Sequence, residues 1–326
     1  MLSERGHTLA GMPHSSAASG APRWSYLGPE GTFTEAALLT LPEAARAEAL
    51  PMASVPAALD AVRRGEADAA VVPLENSVEG SVSVTIDELA TGEPLVIERE
   101  ILLPISFALL VRPGTTMADI KTVSSHAHAQ PQVRRWLGAN LPDAEWFSSA
   151  SNADAARLVQ EGRYDAALAG EFAAERYGLV PLVAEIHDVE GAVTRFVQVR
   201  RPAPVSPPTG ADRTSVVAFI VDDHAGALLE ILQEFAVRGV NLDHIQSRPT
   251  GDGLGHYFFA IEAEGHIADA RVGEALMGLR RVCAGVRFLG SYPRADGARP
   301  QVRRGTSDAE FDDAARWLDR ARRGES

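Results

Sequence analysis

The spacing of apolar and polar positions changes along the chain and predicts two folded domains. Between residues 23 and 201, short apolar runs such as AAVVPL and AALAG alternate with segments of helical periodicity. This alternation is typical of an α/β fold with mainly parallel sheets covered on both faces. Between residues 214 and 293, the order strand, helix, strand, strand, helix, strand predicts a ferredoxin-like βαββαβ domain.

Three further segments flank and separate these domains. Residues 1–22 are rich in Gly, Ser and Ala and are expected to form a disordered lead. Residues 202–213 are rich in proline and are expected to form an extended linker. In the tail, residues 294–326, the spacing of Ser307 and Glu310 predicts a capping box for a short helix, which could dock or extend freely.

An internal repeat divides the first domain. Six residues recur at a constant offset of 97: Ser54, Val62, Gly65, Asp68, Ala69 and Ala70 become Ser151, Val159, Gly162, Asp165, Ala166 and Ala167. Each copy predicts a helix that begins after Ser, ends at Gly and leads through Asp into an apolar strand. Two such units indicate two similar lobes with a ligand cleft at the strand ends. Chance similarity in an alanine-rich chain is the alternative.

Composition and charge exclude several classes of protein. The chain has 31 Lys and Arg against 44 Asp and Glu, a net charge of −13, which argues against nucleic acid as a partner. Cys283 is the only cysteine and Lys121 the only lysine, so disulfides and cysteine-held metals are excluded and Schiff-base chemistry is restricted. No apolar run long enough for a membrane span and no secretory signal are present. We expect a cytoplasmic protein with no cofactor and no metal.

Two segments in the first half of the domain carry candidate site residues. In the glycine loop before Phe33, the spacing of Thr32 and Glu35 predicts a capping box whose helix start offers N–H groups to an anion. After the strand of the first repeat come Asn76 and Ser77. The chain has only four asparagines; this one either supplies an amide to a ligand or forms a turn.

Two more segments lie in the second half. Ser125 and Gln132 are two helical turns apart and could bind one ligand if a helix starts between them with Pro131 in its first turn. His126 and His128 would share a face if extended, but no carboxylate or cysteine stands at close ligand spacing, so metal binding is not expected. The fourth segment is Thr194-Arg195-Phe196. An arginine in this apolar context needs a carboxylate ligand or an internal salt bridge.

Together these segments resemble the prephenate dehydratase family. The matching residues are Tyr26-Leu27-Gly28-Pro29-Glu30-Gly31-Thr32-Phe33-Thr34, Pro73-Leu74-Glu75-Asn76-Ser77, Ser125-His126, Gln132, Asp188 and Thr194-Arg195-Phe196. Beyond the linker, Gly226-Ala227-Leu228, Asn241-Leu242, Ser247-Arg248-Pro249 and Gly265-His266 are similar to an ACT domain. The chain departs from the family pattern at Ala127-His128, where Pro-Gln is common, at Ala192 in place of asparagine, and at Gln246 in place of glutamate.

The resemblance implies a two-lobed, periplasmic-binding-protein-like catalytic domain over residues 23–201, joined to an ACT regulatory domain over residues 214–293. The implied reaction converts prephenate to phenylpyruvate with loss of water and carbon dioxide and uses no cofactor or metal. Thr194 would contact the leaving hydroxyl. Arg195 and helix-start N–H groups near Thr32, Ser77 and Ser125 would bind the substrate carboxylates. Asn76, Ser125 and Gln132 would orient the substrate. Phe33 and Phe196 would exclude water.

The ACT resemblance further implies feedback by L-phenylalanine. The effector would bind between two copies of the domain, so a homodimer or homotetramer is expected, with contacts from Asp223, Gly226, Ala227, Leu228, Asn241 and Leu242. Arogenate dehydration is a close alternative reaction. A non-catalytic two-lobed binding protein is the alternative from a different class, because a fold alone does not settle function.

Overall fold

The computed structural model describes residues 20–220, 224–251 and 257–325. Its strands, β1 to β15 in chain order, are Arg23–Leu27, Glu48–Met52, Ala69–Asn76, Gly80–Ser81, Val96–Pro104, Phe107–Val111, Thr122–His126, Glu145–Ser149, Ala166–Ala169, Val180–Ile186, Val193–Arg200, Asp212–Phe219, Leu242–Pro249, Tyr257–Glu264 and Gly285–Pro293. Its α-helices, α1 to α9, are Phe33–Leu39, Val55–Arg63, Ser83–Thr91, Gln130–Asn140, Asn152–Gln160, Ala173–Tyr177, Ala227–Ala236, Ala270–Val282 and Asp308–Arg322.

Two sheets with the same local topology form the two lobes. The first has the order β2-β1-β3-β11-β5, with β4 paired to β3, and the second has the order β8-β7-β9-β6-β10. In each lobe the strand next to the sheet edge pairs in parallel with both neighbours, β1 with β2 and β3, and β7 with β8 and β9. The predicted pair of similar lobes is confirmed. The sheets are mixed rather than mainly parallel, because the chain crosses between lobes twice and β11 and β6 enter antiparallel.

The repeated residues perform the same structural tasks in both lobes. The Ser54 hydroxyl caps α2 and the Ser151 hydroxyl caps α5, each accepting the N–H three residues onward. Gly65 and Gly162 follow the two helices with φ of 74° and 77°, a left-handed conformation that favours glycine. The repeat therefore has a structural origin, and chance similarity is excluded as its explanation.

The third sheet has the antiparallel order β13-β14-β12-β15, which confirms the predicted ferredoxin-like βαββαβ domain. One face of this sheet packs against α7 and α8. Phe258, Ala260 and Tyr292 on the other face share a core cluster with Leu59 and Val62 of the first lobe. Burial of this common apolar surface fixes the small domain to the first lobe.

The tail helix α9 is attached at its beginning. Ser307 and Glu310 form the predicted capping box, and the N–H of Ala270 donates to the carboxylate of Asp308 over 2.8 Å. Trp317 remains 61% exposed on α9. Across the described ranges, no helix has the length and apolar character needed to cross a membrane.

Gly290 tests how closely the third sheet approaches the first lobe. A Cβ at this position, where φ is 143°, would lie 2.4 Å from the carbonyl oxygen of Ile97 on β5. We expect Gly290→Ala to combine backbone strain with overpacking, each costing about 1–3 kcal/mol. Gly114 also has positive φ, but no atom lies within 4 Å of its ideal Cβ, so Gly114→Ala isolates the strain. The Gly290 variant should unfold several degrees below this control in thermal denaturation; equal midpoints would contradict the close approach.

Candidate active site

A cavity of about 690 Å³ lies between the two lobes. The loops after β1 and β2 supply one wall, and the ends of β7 and β8 with the start of α5 supply the other. Its lining residues are Leu27, Gly28, Pro29, Glu30, Thr32, Phe33, Thr34, Pro51, Met52, Ala53, His126, Ala150, Ser151, Asn152, Asp154 and Tyr177. The cavity therefore lies at the carboxyl ends of parallel strands in both lobes, where the internal repeat predicted a ligand cleft.

Polar contacts join the lobes across this cavity. The Tyr177 hydroxyl donates to the carbonyl oxygen of Glu30 over 2.7 Å. The guanidinium of Arg176 lies 3.0 Å from the carboxylate of Glu30 and 3.3 Å from that of Glu35. These contacts link α6 of the second lobe to the glycine loop of the first.

Phe33 packs against both lobes. Its ring makes edge-on contacts with Phe107 and Phe172 of the second lobe, with ring centres 5.6 and 5.3 Å apart. It also packs against the first lobe's core cluster, as does Leu103, the β5 partner of Thr194. Phe33 thus connects the cavity to the strand that carries Thr194.

Asn76 and Thr194 form a hydrogen-bonded pair at the ends of β3 and β11. The Asn76 Oδ1 accepts the N–H groups of Val78 and Glu79 over 2.8 and 3.0 Å, which fixes the orientation of the amide. Its Nδ2 then donates to the Thr194 Oγ1 over 2.8 Å. Asn76 is therefore both a turn former and an amide donor. Because the Thr194 oxygen accepts this bond, its own hydrogen stays available for another acceptor.

Ser77 holds the backbone of β11 instead of preparing an anion site. Its hydroxyl accepts the N–H of Val193 over 2.9 Å, and its own N–H donates to the Val193 carbonyl over 2.9 Å. The next helix, α3, begins only at Ser83. The expected helix-start N–H groups near Ser77 are therefore absent among the described residues, because the chain turns into the short strand β4.

The expected anion site at Thr32 also needs correction. Thr32 caps α1 by accepting the N–H of Glu35, but the Glu35 carboxylate accepts from Gly31 over 2.5 Å and not from Thr32. Two backbone donors beside this helix start, the N–H groups of Gly31 and Glu35, therefore already have partners within the protein. The α1 helix is also only seven residues long, which limits its dipole.

Ser125 is buried, and its hydroxyl has two hydrogen-bond acceptors within the protein. Its hydroxyl lies 2.5 Å from the carbonyl oxygen of Leu168 and 3.0 Å from the Oδ1 of Asn152. The helix predicted between Ser125 and Gln132 is α4, which begins at Gln130 with Pro131 in its first turn. Ser125 itself lies on β7, and a short 3-10 helix, Ala127–Ala129, begins two residues after it and leads into α4. The helix start expected near Ser125 is therefore present, capped by the side chain of His126.

Gln132 has an unpaired buried atom. Its Nε2 donates to the carbonyl oxygen of His128 over 2.9 Å, whereas its Oε1 is buried with no hydrogen-bond partner among the described residues. A buried acceptor without a partner costs about 1–3 kcal/mol, so such an atom indicates a position where a ligand can donate.

Asn152 is a site residue that the sequence reasoning missed. It lines the cavity, and its Oδ1 accepts both the Ser125 hydroxyl and the N–H of His126, the latter over 3.1 Å. This orientation directs the amide Nδ2 away from both groups. The repeat contained a signal, because the equivalent position in the first copy is the apolar Val55.

His126 lines the cavity as a neutral donor. Burial and the neighbouring His128 ring, 4.8 Å away, lower the pKa of His126. Its Nδ1 accepts the N–H of His128 over 3.3 Å, so the neutral ring carries its hydrogen on Nε2. Among residues 20–220, 224–251 and 257–325, no group of three His, Cys, Asp or Glu side chains is arranged to hold a metal ion.

Arg195 faces away from Thr194 and binds three carboxylates of the protein. Its Nη2 lies 3.0 Å from Glu75 and 2.8 Å from Glu262, and its Nη1 lies 3.2 Å from Glu100. Burial opposes its charge, but the carboxylates, led by Glu262, raise the pKa of the guanidinium. The expected contact with a substrate carboxylate is therefore replaced by the internal salt bridge, because consecutive residues of a strand point to opposite faces.

Phe196 lies inside the first lobe. It is 2% exposed and packs with Tyr26 and Leu38 beneath α1. Its ring supports the element that carries Phe33 and does not line the cavity, so only Phe33 of the two expected aromatic residues reaches the cleft.

A second cavity, of about 270 Å³, lies in the ferredoxin-like domain. Its lining residues are Ile220, His224, Gly226, Ala227, Leu228, Leu229, Ser247, Tyr257 and Phe259. Three of the residues expected to contact the effector, Gly226, Ala227 and Leu228, line this cavity. Asp223 lies outside the described residues. Leu242 packs in the domain core, and Asn241 accepts the Glu264 N–H through its carbonyl, so neither lines this cavity within one copy.

The fold and these two cavities define a two-lobed α/β protein with a small-molecule cleft and an attached ligand-binding domain. Residues 24–204 match the sequence model of the family described as Prephenate dehydratase, and residues 215–281 match that of the ACT domain. The chain belongs to the prephenate dehydratase family.

Two individual relatives carry the same family name, and a third similar structure carries a different description. A prephenate dehydratase of Amycolatopsis methanolica is 49% identical over 304 residues, which cover 93% of this chain and 99% of the relative. The crystal structure of prephenate dehydratase in complex with L-Phe from Arthrobacter aurescens has 50% identity and a TM-score of 0.88, covering 92% of this chain and 99% of that one. A structure described as GqqA, a novel type of quorum quenching acylase, has 27% identity and a TM-score of 0.74, covering 84% and 98%.

Asn152→Ala tests the assignment of this residue. The change leaves the N–H of His126 without its acceptor, and we expect a loss of about 1–3 kcal/mol in the free energy of unfolding. Asn140 is exposed and bonds only the carbonyl of Trp136, so Asn140→Ala should cost under about 0.5 kcal/mol. Urea denaturation compares the two variants, and amide exchange at His126 should accelerate only in the first. Equal behaviour of the two would remove Asn152 from the site.

Proposed function

We propose that this protein converts prephenate to phenylpyruvate with loss of water and carbon dioxide and that L-phenylalanine regulates it. Membership of the prephenate dehydratase family supports the reaction. The observation that carries it is the Asn76–Thr194 hydrogen bond, because it leaves one oriented hydroxyl hydrogen on Thr194. Thr194 is paired with Leu103, which packs against the core clusters of both lobes.

The proposed reaction needs few catalytic groups from the protein. As the ring carboxylate leaves as carbon dioxide, the electron pair of the broken C–C bond enters the ring. The C4 oxygen leaves with the electron pair of its C–O bond as hydroxide, which takes a proton from solvent to become water. Aromatisation drives both steps, so the site must stabilise the departing oxygen while the carboxylate stays ionised. A threonine hydroxyl is too weak an acid to surrender its proton outright. It acts as an aimed donor, strengthened by the amide bond it accepts.

The substrate carboxylates would be held by neutral donors. His126, Asn152 and the first residues of α5 all line the cavity, and they offer an imidazole N–H, an amide and helix-start N–H groups as donors. The acidic side chains that line it are already paired: Glu30 lies 3.0 Å from Arg176, and Asp154 lies 2.7 Å from Arg157. This pairing lets a dianion enter a protein whose net charge is −13.

The Gln132 Oε1 is the acceptor for a substrate hydroxyl. Its unsatisfied buried state in the described structure is relieved when a ligand donates to it. Ser125 acts indirectly in this scheme, by orienting Asn152. Phe33 lines the cavity and packs against the same core cluster as Leu103, the β5 partner of Thr194, and in this scheme it excludes water.

Thr194→Val tests the central role. Removing the hydroxyl while keeping the shape should lower kcat/KM at least 100-fold, which corresponds to about 2.7 kcal/mol of transition-state stabilisation. Thr194→Ser keeps the donor and should retain most of the activity. Phenylpyruvate formation from prephenate is followed by its absorbance in alkali, and formation of L-phenylalanine from arogenate is measured in parallel. A valine variant within threefold of wild type would remove Thr194 from the mechanism, and turnover of arogenate alone would change the substrate.

L-Phenylalanine is proposed to bind the cavity of the ACT domain. The related Arthrobacter aurescens protein was crystallised in complex with L-Phe. The cavity combines the aromatic ring of Phe259 with backbone at Gly226 and Ala227, which suits an amino acid with an aromatic side chain.

We further propose that the chain forms a homodimer or homotetramer through this domain. Leu229 is 57% exposed and Tyr257 is 37% exposed at the cavity, so a second copy would cover apolar surface there. The exposed face of β13, whose residues alternate in burial, extends the same surface.

Light scattering after size exclusion tests the assembly. The protein should have two or four times the chain mass of 34.7 kDa, and Leu229→Glu should shift it towards the monomer because a charge would be buried at the contact. Leu39, 62% exposed on α1, provides the control Leu39→Glu, which should leave the mass unchanged. A wild-type monomer with and without L-phenylalanine would contradict the proposal.

A further inference from the structure

A buried ion cluster connects the ACT domain to the strand that carries Thr194. The cluster consists of Arg195, Arg213, Glu100 and Glu262, each less than 9% exposed. Arg195 and Glu100 come from the first lobe, and Arg213 and Glu262 from the third sheet. The Glu262 carboxylate binds the Arg195 Nη2 through both oxygens, at 2.9 and 2.8 Å.

The first-lobe end of this cluster lies directly behind the Asn76–Thr194 pair. Across the β3–β11 ladder, Thr194 is opposite Asn76 and Arg195 is opposite Glu75. The Arg195 Nη2 also bonds Glu75 over 3.0 Å. Arg195 therefore binds one face of the strand pair at the position where the proposed catalytic hydrogen bond forms on the neighbouring residues.

The other end of the cluster is on β14, which also lines the ACT cavity. Phe259 faces the cavity and the helix layer. Phe258, Ala260 and Glu262 face the first lobe, the first two in its core cluster and the third at Arg195. One strand thus lines the cavity on one side and contacts the first lobe on the other, and only two residues separate Phe259 from Glu262.

We propose that Arg195 is a positioning residue through which the ACT cavity acts on Thr194. A ligand that shifts Phe259 moves β14, Glu262 pulls on Arg195, and the β3–β11 ladder carries the shift to the Asn76–Thr194 bond. A buried ion cluster can transmit such a shift, because breaking one of its salt bridges would leave a buried charge uncompensated. Arrangements in which Glu262 and Arg195 are partly separated are therefore costly. The proposal rests on the proposed function and adds the route of its regulation.

Glu262→Gln tests the route, and Asp87→Asn is its matched control. Asp87 on α3 also pairs with the third sheet, through Arg248 at 2.9 Å, but Arg248 lies on β13 and contacts no residue next to Thr194 in the described structure. Both changes neutralise one carboxylate without altering its shape. Neither residue contacts the proposed substrate.

Three measurements are made on each full-length variant: L-phenylalanine binding by calorimetry, kcat/KM without effector, and activity at saturating L-phenylalanine. For Glu262→Gln we expect binding within fivefold of wild type, kcat/KM within tenfold, and inhibition reduced to less than twofold. For Asp87→Asn we expect wild-type inhibition. This separation of binding from inhibition would not follow from a merely structural role.

Full inhibition of Glu262→Gln with intact binding would overturn the route while leaving the proposed function standing. A wild-type protein that turns over prephenate but binds no L-phenylalanine would overturn the regulatory half of the proposed function and this proposal with it. Should the glutamine variant fail to fold, Glu262→Asp keeps the charge on a shorter side chain. Because this carboxylate cannot keep both bonds to Arg195, it too should weaken inhibition, and unchanged inhibition would overturn the route.

Discussion

The antiparallel pairing of β11 with β3 is the interaction on which the rest of the structure depends. It returns the chain from the second lobe to the first and places Thr194 opposite Asn76, 118 residues earlier. The Asn76 amide is itself fixed by two backbone N–H groups, so its donor direction is set by the fold. In the proposed mechanism the weakly acidic Thr194 hydroxyl acts through its orientation. Its oxygen already accepts the Asn76 hydrogen bond, so its hydrogen is directed towards one remaining position.

The opposite face of the same strand pair explains the distribution of charge. Arg195 is held by Glu75, Glu100 and Glu262, so the strongest positive group near Thr194 serves the contact between domains. The cleft is left with amides, an imidazole and helix ends to meet an anion. In the proposed scheme, catalysis uses Thr194 and regulation uses Arg195, consecutive residues of β11 whose side chains point to opposite faces of the sheet.

Periodicity and caps predicted most of the fold. The βαββαβ order followed from alternating strand and helix patterns, and the two lobes followed from the offset between Ser54 and Ser151, because both depend on local rules. The partners of Arg195 could not be predicted, since Glu262 lies 67 residues away among many carboxylates. Asn152 was within reach of sequence reasoning, because a polar residue replaces Val55 in the second repeat. The capping box predicted that the Glu35 carboxylate accepts the N–H of Thr32, whereas it accepts the N–H of Gly31, one residue earlier. Only the backbone geometry decides between these two donors.

The pH dependence of an Asn76→Asp variant tests the central claim most directly. An ionised carboxylate would accept the Thr194 hydrogen and turn the hydroxyl away from the substrate, whereas a protonated one could donate to Thr194 as the amide does. We therefore predict that kcat relative to wild type is reduced at least 100-fold at pH 8 and rises about tenfold per unit as pH falls towards the pKa of the new carboxyl. A variant with wild-type kcat at pH 8, or a ratio independent of pH, would contradict the account.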